Sequence, residues 1–170
     1  MTDTFLFDLG NTRLKIASLH DDGSIGGVFA ITHDGASLPA GWDAPLPARF
    51  EAATLAMVGA TTLRTQLLEA LTTRCGRISI ARTVPHCSGL RIAYAKPDNL
   101  GVDRFLAMLG AQTHGPGPWL VVGIGTAITL DLIDSNGLHH GGRIAPSPVL
   151  MREALHARAA QLPEAGGHFV

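Results

Sequence analysis

Two stretches far apart in this chain follow one plan, and that duplication limits the fold more than any other feature. In Thr4–Leu19 an apolar run (Phe5, Leu6, Phe7) ends in Asp8, Gly10-Asn11-Thr12 make a turn, and a second run (Leu14, Ile16, Ala17, Leu19) leads away. In Trp119–Asp134 an apolar run reaches a Gly125-Thr126 turn and a second run follows. Each hairpin precedes a polar turn (Asp21-Asp22-Gly23; Ser135-Asn136-Gly137) and then a short run with a glycine pair (Gly26-Gly27; Gly141-Gly142). The pattern predicts a three-strand meander used twice. A carboxylate at the end of a buried strand needs a cation or backbone donors beside it, so Asp8 next to a Gly/Asn/Thr turn suggests a site for metal-bound phosphate. The competing reading is an Asx-type turn in which Asp8 only caps its own loop.

Composition narrows the function classes. The chain has 170 residues, 46% hydrophobic and 16% charged, enough for one domain or two small ones with a sizeable core. A net charge of −1 offers no basic field, so neither nucleic acid nor an anionic membrane is an expected partner. Cys75 and Cys87 suit two reduced thiols better than a disulfide or a zinc site. The start lacks the pattern of a signal peptide, and the apolar stretch 119–133 is interrupted and too short to span a bilayer. A soluble, cytoplasmic protein is expected.

Between the hairpins, Thr32–Arg49 reads as a surface connection with one short helix. Leu55–Ala60 reads as a buried strand, Thr61–Arg74 as a helix with Leu63, Leu67, Leu68 and Leu71 on one face, and Arg77–Val84 as a strand, making a βαβ unit. Thr61 or Thr62 is the expected N-cap and Gly76 the expected C-cap. Leu90–Pro97 reads as extended, with Asp98 capping a helix through Leu100, Phe105, Leu106, Leu109 and Ala111. Gly115-Pro116-Gly117 forms the domain boundary, giving domains 1–117 and 118–170. Pro148–Leu162 reads as an amphipathic helix with Leu150, Met151, Leu155 and Leu162 on its apolar face.

Asp103 and Arg104 lie near a helix start. They fit a first-turn carboxylate and a solvated charge, or a base that accepts a hydroxyl proton beside a cation that holds a phosphate or carboxylate oxygen. The eight histidines, including His139-His140, show no metal-ligand spacing and read as surface or turn residues. His86-Cys87 point to opposite faces of an extended segment and make a poor thiol–imidazole pair. Asp131 reads as structural or as a site member, and Lys15 as a strand-surface lysine or a phosphate ligand. P-loop and Rossmann signatures are absent from the sequence.

Five motifs in this order resemble type III pantothenate kinase: Asp8-Leu-Gly-Asn-Thr12 with Lys15; Tyr94 with Pro97 and Leu100-Gly-Val-Asp-Arg104; Gly125-Thr-Ala127 with Thr129 and Asp131; Gly141-Gly-Arg-Ile-Ala-Pro146; and Leu150-Met151 with Ala154-Leu155. The resemblance implies an α/β actin-like ATPase (ribonuclease H-like) fold, the plan also of sugar kinases and Hsp70-type ATPases, in which two meander-plus-βαβ domains hold a nucleotide between them. It implies phosphorylation of pantothenate by ATP, the first step of coenzyme A synthesis, by a homodimer. Carried over by position, Asp8, Leu9, Gly10, Asn11, Thr12, Arg13, Leu14 and Lys15 form the ATP phosphate loop, with Asp8 near the Mg2+ of Mg·ATP, and Thr126 touches ATP. Tyr94, Gly101, Val102, Asp103 and Arg104 line the pantothenate pocket, with Asp103 as catalytic proton acceptor.

Three departures accompany the resemblance. Gly123 stands where the family commonly has a cation-binding Asp, so K+ or NH4+ is expected to bind weakly or not at all. Ser147 follows Pro146 in place of the usual glycine and is a good N-cap. Family members continue by tens of residues beyond the position of Val170, so the second domain is expected to be incomplete. Two rivals stay open: a non-catalytic accessory factor for transcriptional activation, as found in the same family, and a same-fold kinase for another small hydroxylated substrate.

Overall fold

The structure, a computed structural model, describes residues 4–159 and 161. The chain gathers into two compact units. The first holds the described residues up to Val84 together with Lys96–Phe105, and the second holds Pro85–Ala95 and the described residues from Leu106 onward.

The first unit is built on the strands β1 (Thr4–Leu9), β2 (Arg13–Leu19), β3 (Phe29–Thr32), β4 (Phe50–Met57) and β5 (Cys75–Ile80), with helix α1 (Thr61–Thr72) between β4 and β5. The sheet order is β3-β2-β1-β4-β5. The meander strands pair antiparallel, whereas β4 is parallel to β1 and β5 to β4. Alternation decides which face is inside: Phe7 and Leu9 of β1 stand opposite Ile16 and Leu14 of β2, and all four are buried. The intervening pair, Asp8 and Lys15, therefore points to the other face. Leu63, Leu67 and Leu71, one helical turn apart, bring α1 into the same core with Leu55 and Phe50.

Several boundaries differ from the sequence reading, each because a tertiary contact overrides a local preference. The residues between β3 and β4 contain no helix; instead Leu46 enters the core and Leu38 and Trp42 pack against it. Helix α1 is capped by Ala60 without a side-chain hydrogen bond, and Thr61 is its first helical residue. Gly76 is no C-cap, because Phe50 N–H bonds to the Arg74 carbonyl and Cys75 pairs with Phe50, pulling the chain directly into β5. Asp98 does not cap the next helix either. Pro97–Asn99 make a single 3-10 turn, and Leu100 is extended. Its side chain is buried and its carbonyl accepts the Thr83 hydroxyl at 2.8 Å. Helix α2 (Val102–Gln112) starts only after that anchor.

The second unit holds a small hairpin, β6 (His86–Cys87) and β7 (Leu90–Arg91), closed by Ser88 and Gly89 at positive φ. The expected second meander follows as β8 (Trp119–Ile124), β9 (Ala127–Ile133) and β10 (His139–Pro146), antiparallel in the order β10-β9-β8. Along β8, Leu120, Val122 and Ile124 share one face and are exposed. Helix α3 (Pro148–His156) is capped by Ser147, whose Oγ accepts the Leu150 N–H at 3.2 Å. The helix is shorter than expected, and Leu150, Met151 and Leu155 are exposed. Leu162 lies outside the described residues. No helix among the described residues is long and apolar enough to cross a membrane.

Leu67 is fully buried where α1 meets the sheet. Leu67→Ala is therefore expected to lower stability by about 2–5 kcal/mol, read as a shifted midpoint in chemical denaturation.

Candidate functional site

The first hairpin tip is a loop of defined geometry. Gly10 N–H bonds to the Arg13 carbonyl at 2.9 Å, closing the turn that carries Asn11 and Thr12, both exposed. Behind it, the Leu9 carbonyl accepts the N–H groups of Val58 (3.0 Å) and Gly59 (3.1 Å) just beyond β4. A Cβ on Gly59 would stand 2.8 Å from the Gly10 carbonyl oxygen, so only glycine allows this approach. The histidine expectation needs correction here. His33 is buried, its N–H bonds to the Thr12 carbonyl, and its ring joins two backbone groups. Gly35 N–H donates to Nδ1 (3.1 Å), which leaves the proton on Nε2 to donate to the Gly10 carbonyl (3.3 Å). The turn carrying His33 is held by Asp34. The backbone N–H groups of Ser37 and Ala36 donate to its carboxylate and keep its pKa below the ordinary value. That contribution is present above the unfolded carboxyl's pKa and is lost on acidification.

Asp8 and Lys15 form an ion pair at 2.9 Å on the open face of the hairpin. With side chains 39% and 51% exposed, such a pair adds about 0–1 kcal/mol and is readily exchanged for a ligand. A hard carboxylate oxygen and an ammonium beside backbone amides form a donor set that fits a divalent cation and phosphate oxygens.

Gly101–Arg104 approach the same strand ends. Val58 Cγ1 lies 3.8 Å from where a Gly101 Cβ would stand, and Asp103 Oδ1 lies 2.5 Å from that point. The Asp103 carboxylate thus folds back over Gly101, and the residue is exposed in the first turn of α2. Val102 is buried; Arg104 is buried too, and it is partnered. Tyr94 belongs to the second unit, where its ring stacks on His139 with centroids 5.9 Å apart.

In the second hairpin, Gly125 N–H bonds to the Ala127 carbonyl and Thr126 is exposed at the tip. A Cβ on Gly123 would meet Thr129 Oγ1 at 2.5 Å, so that hydroxyl fills the place of the stem of an aspartate. His139 again departs from the surface reading: it is buried with its Nε2 3.0 Å from Asp131 Oδ1. Cys75 and Cys87 are free thiols, and burial pushes the Cys75 thiol up, away from a nucleophilic thiolate. No group of three potential metal-binding side chains occurs among the described residues.

A family model for type III pantothenate kinase matches residues 4–168. The chain belongs to the type III pantothenate kinase family. It is 50% identical over 166 residues to the type III pantothenate kinase of Xanthomonas axonopodis pv. citri (strain 306). The identity to that of Xylella fastidiosa (strain M23) is also 50% over 166 residues. In both cases 98% of this chain aligns with 67% of the relative, so the chain spans about two thirds of the length of the curated relatives it matches. Among solved structures, the ethanolamine utilization protein EutJ of Carboxydothermus hydrogenoformans is similar at 11% identity and a TM-score of 0.44, covering 92% of this chain and 56% of that one. The fold assignment rests on the strand order and the family. As a family member the chain is a kinase of the actin-like ATPase fold class, with ATP as the phosphoryl donor.

Sequence reasoning missed Gly59, His33 and His139. Nothing in the local pattern marks them, because their partners are distant carbonyls, amides and side chains. For Gly59, Gly59→Ala is expected to force the Gly10 backbone away and to cost about 1–3 kcal/mol in thermal unfolding.

Proposed function

We propose that this chain transfers the γ-phosphoryl group of ATP to the primary hydroxyl of pantothenate, with the residues from Asp8 to Lys15 and Thr126 binding ATP and with Tyr94 and Gly101–Arg104 binding pantothenate. The observation that carries the reading is the junction in the first unit where the ends of β1 and β4 meet. There Val58 and Gly59 hold the Leu9 carbonyl, and Gly101 stands against Val58. The proposed phosphate loop and the proposed base thus share one edge of one sheet, outside the carboxyl ends of parallel strands, a common ligand position in α/β folds.

Each residue has a physical task. Asp8 is the proposed ligand of Mg2+, which when bound neutralises phosphate charge. Lys15, released from its exposed pair with Asp8, supplies a positive charge to the phosphates. The backbone of Gly10–Thr12, fixed from behind by His33 and Gly59, offers a rigid loop. Phosphoryl transfer depends chiefly on such positioning and charge neutralisation. Asp103 is the proton acceptor for the substrate hydroxyl, and its exposure in the first turn of α2 leaves its carboxylate accessible. The relatives named above bear the kinase name, which favours catalysis over the accessory-factor reading. A division of the fold at residues 117 and 118, a homodimer and a cytoplasmic location belong to the same proposal, on the strength of the family resemblance.

The test is ADP release with ATP, Mg2+ and pantothenate. Turnover is expected to require pantothenate, and Asp103→Asn is expected to lower kcat by roughly 10²–10⁴-fold while the protein stays folded. Pantothenate-independent ATP hydrolysis in both proteins would overturn the proposal. With Thr129 filling the space at Gly123, replacing K+ by a bulky organic cation at constant ionic strength is expected to leave the rate unchanged within about two-fold, a negligible difference on the scale of site contributions.

A further inference from the structure

The buried pair of His139 and Asp131 has no task in the reading above, and its surroundings suggest one. Among the described residues of the second unit they are a buried imidazole and a buried carboxylate, 1% and 2% exposed, with His139 Nε2 3.0 Å from Asp131 Oδ1. A buried polar pair costs desolvation and is expected where geometry must be specified. The strands are irregular at this point. His139 pairs with Ile133, Gly142 pairs with Asp131, and the register shifts between them, with Gly141 at φ 97°. His139 and Asp131 are thereby diagonal neighbours on one face of β9 and β10, close enough to bond.

The other side of the imidazole is also committed. Ala93 N–H donates to Nδ1 at 3.4 Å, which leaves the proton on Nε2 for Asp131. Both edges of the ring are therefore held, one by the backbone of the segment before Tyr94 and one by the sheet. The segment itself is tied down by Arg91 N–H on the Gly137 carbonyl at 2.9 Å and by a bridge between Arg91 and Leu138. On the face of this fixed ring lies Tyr94, half-buried, with centroids 5.9 Å apart and planes inclined by 18°. A tyrosine has two side-chain torsions, and a stacked neighbour locked at both edges restricts both.

We propose that His139, oriented by Asp131, is a positioning residue that sets the direction of the Tyr94 ring for contact with pantothenate. The proposal rests on the reading of Tyr94 as a substrate contact. His139 touches no reacting atom; it acts through Tyr94. A purely structural pair would stabilise the sheet equally whether or not Tyr94 were present.

Tyr94 is the single tyrosine of the chain, so 3-fluorotyrosine gives one 19F resonance. Pantothenate added with Mg·ATP is expected to shift that resonance in the unmodified protein. His139→Gln, which keeps a donor for Asp131 but loses the ring, is expected to move or broaden the resonance without ligand. It should weaken pantothenate binding by roughly ten-fold, within the range that small misplacements produce, and leave ATP affinity unchanged. Asp131→Asn, whose amide oxygen still accepts from Nε2, should lie between the two and keep the protein folded if the Gln variant does not. In a Tyr94→Leu background, measured by calorimetry, His139→Gln should have no further effect on pantothenate, the non-additivity expected of residues that act as a unit. An equal loss in both backgrounds, or unaltered pantothenate affinity with only a lower Tm, would overturn the positioning role. A wild-type resonance unmoved by saturating pantothenate would overturn it by another route, because the substrate reading of Tyr94 would itself have failed.

Discussion

The Leu9 carbonyl, held by the N–H groups of Val58 and Gly59, is the constraint on which the site depends. It extends the parallel pairing of β1 with β4 one step past the strands and fixes the direction in which the chain leaves each of them. The turn at Gly10 is pinned from the front by Arg13, from behind by Gly59 and from the side by His33. Buried backbone groups left without partners would cost several kcal/mol, so these bonds leave the loop few alternative conformations. Asp8 and Lys15 stand partly exposed on that rigid base, in a pair worth little in stability.

The two hairpins share a plan and differ at their tips. In the first, a carboxylate and an ammonium face each other across the strands. In the second, Gly123 and Thr129 occupy paired positions, and the hydroxyl takes the space a larger side chain would need. The second repeat instead places its carboxylate, Asp131, inside the sheet, where His139 meets it. One repeated pattern thus carries an exposed ion pair in one copy and a buried carboxylate–imidazole pair in the other.

Legibility followed the range of the interactions. The meanders were readable because period-two alternation is local and Gly, Asn and Asp mark their turns. The core face of α1 was readable from Leu63, Leu67 and Leu71. Helix ends were misread where distant partners decide them: Phe50 takes the Arg74 carbonyl and turns Gly76 into a strand residue, while Thr83 holds Leu100 extended and delays α2. The motifs proposed for the candidate site, with Asp8, Lys15, Tyr94 and Gly101–Arg104, were readable as motifs. Its supports were not, since a lone histidine or a glycine after a strand carries no sign of the carbonyl it will meet.

By itself the sequence determined the duplicated hairpins, the βαβ unit and the family, because each depends on the identity and spacing of residues near one another. Only the tertiary structure decided that Gly59 must lack a side chain, that His33 braces the turn, that Arg104 is buried while Asp103 is exposed, and that His139 is locked beneath Tyr94. The physical reason is common to all four. Burial and hydrogen-bond partnership are properties of pairs brought together by the fold, and no residue carries them alone.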